Sequence, residues 1–118
     1  MMRFHLPYPP SVWDLYTGWG KTRHRSKSYE KWLSDAGWFI KPIPSKPIDV
    51  PFSLSIALRR QNIRQDIDNR AKACLDALQH YGVIKNDSLC ERLSMQWAQD
   101  LPAECVIIVQ AAEEAMAA

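Results

Sequence analysis

The chain of 118 residues, 47% of them hydrophobic, suffices for one domain around one core, and no segment approaches the roughly 18 apolar residues of a membrane span. A net charge of +2 makes the whole only weakly basic, yet the charge is unevenly spread. Three cysteines, Cys74, Cys90 and Cys105, without Cys-x-x-Cys spacing, exclude a disulfide framework and a zinc site.

Residues 2–6 read as a short strand, which Pro7-Tyr8-Pro9-Pro10 ends because proline cannot donate to a ladder. The start holds no long apolar run, so a secretion signal is not expected and a cytoplasmic location is the default. Residues 11–25 form a long loop with Gly18, Gly20 and a dense set of bases. The spacing of Tyr29, Trp32, Leu33, Ala36 and Ile40 predicts a helix over 27–40, capped by Ser26 or Ser28. Pro42, Pro44, Pro47 and Pro51 mark an extended connector. The alternation of Phe52, Leu54, Ile56 and Leu58 then predicts a strand. A polar loop over 61–67 leads to a helix over about 69–81 with Ala71, Cys74, Leu75, Leu78 and Tyr81 inward, stopped by Gly82. Leu93, Met95 and Trp97 alternate as another strand; after Pro102, residues 105–109 give a buried one, and the tail from Ala111 frays. Cys74 and Cys105 are expected in the core as reduced thiols. The order predicts an α+β domain: a mixed sheet of about five strands with two main helices on one face.

The chemistry concentrates in Asp66-Ile67-Asp68-Asn69, Lys72, Asp76, Gly82 and Asp87. Asp66 and Asp68, two apart in a segment read as extended, point the same way. Lys72 lies one helical turn beyond Asp68. The stretch after Gly82 is long enough to run back along the helix and bring Asp87 toward the other two acids. Three carboxylates suit a hard cation such as Mg²⁺, with Mn²⁺ as a substitute. Such a metal activates water and neutralises a scissile phosphate. Lys72 would stabilise the transition state or orient the attacking water. Two basic clusters flank the acids. One comprises Lys21, Arg23, His24, Arg25, Lys27 and Lys31; the other comprises Arg59, Arg60, Arg64, Arg70 and Lys72. Phosphate contacts are expected from Lys21, Arg23, Arg25, Lys27, Arg59, Arg60, Arg64 and Arg70. Trp13 and Trp19 lie in the basic loop, where base stacking and packing are both open readings. The competing bland reading makes Asp66 or Asp68 a helix cap and Lys72 the partner of Asp68.

The pattern resembles the RusA-like Holliday junction resolvases, small endodeoxyribonucleases. The likeness runs from Leu6-Pro7-Tyr8-Pro9-Pro10-Ser11 through Gly20-Lys21-Thr22-Arg23 and Ser28-Tyr29. It is densest through Asp66-Ile67-Asp68-Asn69, Lys72, Leu75-Asp76-Ala77-Leu78, Gly82 and Asp87. The resemblance implies a single domain over 1–118 in which Asp66, Asp68 and Asp87 bind metal and catalyse, with Lys72 as the catalytic lysine. It also implies a homodimer that nicks opposing strands of a four-way DNA junction in recombination and repair. Two departures stand out: Val12-Trp13-Asp14 follow Pro-Pro-Ser, and Gln65 precedes the first acid. The alternatives are a less selective flap or fork nuclease, and a non-catalytic DNA-binding module.

Overall fold

The computed structural model describes residues 1–41 and 46–113. The expectations for Pro42, Pro44 and the last five residues lie outside them. Eight regular elements follow one another: β1 (Met2–Leu6), β2 (Tyr16–Thr17), β3 (His24–Arg25), α1 (Lys27–Ile40), β4 (Phe52–Leu58), α2 (Ala71–His80), β5 (Cys90–Trp97) and β6 (Cys105–Ala111). Short 3-10 turns precede β2, β3, α2 and β5.

The main sheet has four strands in the order β1-β6-β4-β5. β6 runs antiparallel to both β1 and β4, whereas β5 is parallel to β4. A parallel neighbour requires a crossover, and α2 supplies it. The five-strand expectation is therefore corrected to four, plus a separate two-stranded ribbon of β2 and β3 inside the stretch read as loop.

Strand alternation sends Phe4 and Leu6 of β1, Leu54, Ile56 and Leu58 of β4, and Cys105, Ile107 and Val109 of β6 to one face, all buried. The register lines up Phe4 with Ile107 and Ile107 with Ile56 across the sheet. Both helices close over this face. α1 contributes Tyr29, Trp32, Leu33, Ala36 and Ile40; α2 contributes Ala73, Cys74, Ala77 and Leu78. The opposite face is more polar, with Ser55 and Ser94 hydrogen-bonded across β4 and β5 at 3.0 Å. The predicted thiols Cys74 and Cys105 are fully buried, and all three cysteines are free.

α1 begins where its cap places it, because Ser26 Oγ accepts from Tyr29 N–H at 3.1 Å. α2 ends at Gly82, whose φ of +75° permits a left-handed turn. There Val83 N–H returns to Leu78 C=O at 2.9 Å. The chain then pairs Ile84 with Ile48 in a short parallel bridge. Two expectations fail at the margins. Tyr81 is only half-buried. Ala111 is strand, and Ala112 N–H bonds Pro51 C=O at 2.9 Å instead of fraying. No described helix is long and apolar enough to cross a membrane.

Candidate active site

The crossover β4–α2–β5 carries every residue of the acidic motif. Asp66 is extended (φ −90°, ψ 133°), but Ile67–Arg70 is a 3-10 turn. The period-two argument that set Asp66 and Asp68 side by side therefore does not hold, because Asp68 sits on a helical turn. Neither acid caps a helix. Asp66 occupies the N-cap position of the 3-10 turn without accepting a side-chain hydrogen bond, and the N-cap of α2 is Arg70. Both carboxylates are exposed. Among the described residues, no ion pair involves either of them.

Lys72 does not pair with Asp68. Its ammonium lies 2.9 Å from Asp76 Oδ1 and 3.0 Å from Asp87 Oδ2. The hydrogen bonds from Lys72 to Asp76 and then to Asp87 outweigh its partial burial and push its pKa up to about 12. It is a cation throughout the neutral range, suited to stabilising charge and not to accepting a proton. Asp76 is held from the other side, since the buried Tyr29 hydroxyl of α1 donates to Asp76 Oδ2 at 2.9 Å. Burial first, and then the hydrogen bond to Asp76, raise the Tyr29 pKa well above the ordinary tyrosine value. Asp87 is fixed through its backbone, whose N–H donates to Gln79 Oε1 at 2.9 Å. Asn86 caps the turn by accepting from Ser88 N–H at 2.9 Å.

The loop before the acids is anchored to the N-terminal Pro-Tyr-Pro-Pro segment. Gln65 Oε1 accepts from Gln61 N–H at 2.8 Å and from the Tyr8 hydroxyl at 3.2 Å. Arg70 lies over the Tyr8 ring, 5.2 Å from its centroid, and donates to Pro9 C=O at 2.9 Å. Arg59 donates to Leu101 C=O. Both arginines are half-buried, so their guanidinium groups brace the scaffold. Arg60 covers Trp97 at 5.3 Å from the ring centroid and remains exposed, as do Arg64, Lys21, Arg23, Arg25 and Lys27. A shallow cavity of about 220 Å³ lies between the hairpin and α2, lined by Tyr16, Arg25, Asp76, Gln79 and His80. It joins the first basic cluster to the residue that holds Lys72.

Hard carboxylate oxygens suit Mg²⁺, and Asp66 and Asp68 are free to serve as ligands. Among the described residues of the single chain, no group of three or more His, Cys, Asp or Glu side chains is arranged to hold a metal. Among the described residues the expected convergence of three acids is not formed; Asp87 instead meets Lys72. Sequence reasoning missed Tyr29 and Gln65 as supports and gave Asp76 no catalytic role of its own. Its four-residue spacing from Lys72 was the available signal.

Residues 7–110 match the family model described as endodeoxyribonuclease RusA. A hydrolase of DNA phosphodiester bonds is the class this defines. The chain belongs to the RusA family of Holliday junction resolvases. A comparison with curated individual proteins found no match.

Proposed function

We propose that this enzyme is a Mg²⁺-dependent endonuclease that resolves four-way DNA junctions by paired nicks in opposing strands, acting as a homodimer. The observation that carries this reading is the division of labour among the acids. Asp66 and Asp68 have no capping or pairing duty, whereas Asp76 and Asp87 hold Lys72 as a fixed cation. Helix caps alone do not account for that pattern.

Asp66 and Asp68 would hold the metal, with Mn²⁺ as a substitute, and Asp87 would join them only by releasing Lys72. When bound, such an ion would supply an activated water and neutralise charge on the scissile phosphate. Lys72 presents its ammonium to the phosphoryl oxygens, where charge grows in the transition state. Lys21, Arg23, Arg25, Lys27, Arg60 and Arg64 supply exposed cations for phosphates, which position DNA without reading sequence. Arg59 and Arg70 act indirectly, by holding the loops that present the acids. A twofold dimer suits two symmetric cuts in one branched substrate.

The test is cleavage of a synthetic four-way junction beside matched duplex and flap DNA, with and without Mg²⁺. The expected result is paired symmetric nicks confined to the junction, dependent on Mg²⁺ and abolished in Asp68→Asn. Equal cutting of flaps and forks would make it a general branched-DNA nuclease. Binding without cleavage would leave a DNA-binding module.

A further inference from the structure

The β2–β3 hairpin carries an arrangement that the cleavage chemistry does not use. Trp19, at its tip, is 90% exposed, the most exposed of the large hydrophobic side chains described. An indole in water is ordinary on a floppy loop, but this loop is not floppy. Thr22 N–H and Thr22 Oγ1 both donate to Trp19 C=O, at 3.0 and 2.7 Å. Trp19 N–H donates back to Thr22 Oγ1 at 3.2 Å. Gly18 (φ +90°) and Gly20 (φ +55°) take left-handed conformations on either side of it. A Cβ on Gly18 would stand 2.6 Å from Thr22 C=O, so the turn also depends on the absence of a side chain there.

The hairpin is fixed at its base as well. Leu15 is buried, and Ser26 N–H donates to Leu15 C=O at 2.9 Å. Ser26 Oγ donates to Asp14 C=O at 2.6 Å. The result is a rigid backbone holding one aromatic face in solvent. The same hairpin carries cations: Lys21, Arg23 and Arg25 are all exposed. Arg23 and Arg25 lie over the Tyr16 and Tyr29 rings, 4.8 and 5.9 Å from their centroids.

A preorganised aromatic beside cations fits a polyanion that offers flat apolar faces, which is single-stranded nucleic acid. Paired bases inside a duplex hide those faces, whereas bases opened at a branch point expose them. We propose that Trp19 is a base-stacking site for unpaired DNA, with Lys21, Arg23 and Arg25 holding the adjoining phosphates. This deepens the proposed function, since it names the feature of a branched substrate that the hairpin reads. The occupant is DNA and not a second copy of this chain, because the three cations on this hairpin would repel the same surface of a twin.

The experiment is fluorescence anisotropy of a labelled oligothymidylate and of a labelled duplex, without divalent cation, using wild type, Trp19→Ala and Trp19→Phe. At this exposure neither change disturbs the core, and a melting curve checks it. Loss of one stacked base should weaken single-strand binding about tenfold in Trp19→Ala. Trp19→Phe should retain most of the affinity, and duplex binding and the salt slope should be unchanged in both. The proposal is overturned if single-strand and duplex affinities fall together, if neither changes, or if wild type binds no single strand. It is also overturned if Trp19→Ala converts a dimer to a monomer in sedimentation without altering DNA affinity. Because no cleavage is read, a wild type that stacks DNA but never cuts a junction would refute the nuclease mechanism and leave this site standing.

Discussion

At the scale of single residues, Asp76 decides how Lys72 is presented. A lysine on a helix surface samples many rotamers, and fixing it costs about 2 kcal/mol of side-chain entropy. Here two carboxylates hold the ammonium, at 2.9 and 3.0 Å, and the buried Tyr29 hydroxyl holds one of those carboxylates. Asp76→Asn keeps an acceptor for Tyr29 but removes the charge facing Lys72. Its single-turnover cleavage rate should fall about tenfold or more, since small displacements of a catalytic group are costly, while junction affinity stays near wild type. An Asp76→Asn enzyme with weakened binding and an unchanged single-turnover rate would sink the positioning role. Tyr29→Phe removes one hydrogen bond to a half-buried carboxylate, and should cost about 1 kcal/mol in denaturant unfolding along with a smaller rate loss. Asp66, Asp68, Lys72 and Asp87 stand out because their types and spacing repeat a chemical pattern. Tyr29 lies 47 residues from Asp76, and no local pattern announces that contact; only the packing of α1 on α2 creates it.

Among the elements, α1 was the most legible, since its apolar period and its serine cap agree, and the helix spans Lys27–Ile40 as predicted. One of its residues defies local rules. Gly37 sits inside the helix, where alanine would ordinarily gain about 1 kcal/mol. A Cβ at Gly37 would lie 2.5 Å from the Tyr81 hydroxyl, which donates to Leu33 C=O at 2.6 Å. Gly37→Ala should therefore destabilise, by about 1–3 kcal/mol as in overpacked cores, and a lowered denaturation midpoint would show it. A raised midpoint would mean that Tyr81 moves aside freely. The hairpin β2–β3 was illegible because each strand has two residues, too few for a period; loop hydrogen bonds and arginine–tyrosine contacts hold it instead. β5 forms where the alternation of Leu93, Met95 and Trp97 predicted a strand. It is an edge strand, so Leu93 remains 46% exposed. In the segment before α2, read as extended, Asp66 is extended but Ile67–Arg70 winds into a 3-10 turn that runs directly into α2.

For the molecule as a whole, net charge says little and its placement says much. With a balance of only +2, long-range attraction to DNA must come from local concentrations of cations. The hairpin and the start of α1 put Lys21, Arg23, Arg25 and Lys27 in solvent together, while the C-terminal segment after Pro102 carries acids and no base. Each phosphate neutralised releases counterions, so the dependence of log affinity on log salt counts contacts at about 0.9 per phosphate on duplex DNA. Replacing Lys21, Arg23 and Arg25 together by alanine should flatten that slope by about two to three. Weakening should be similar on four-way, flap and duplex DNA, because phosphate contacts carry no shape or base information of their own. Arg60→Ala with Arg64→Ala should flatten it further and additively, since the two clusters lie on separate loops. By contrast, Arg70→Ala should lower thermal stability more than it alters the slope, because that guanidinium is committed to Tyr8 and Pro9. A triple variant with wild-type affinity and slope would remove the hairpin from the DNA path. A full slope change from Arg70→Ala without loss of stability would reverse the division drawn here between bracing and contacting arginines.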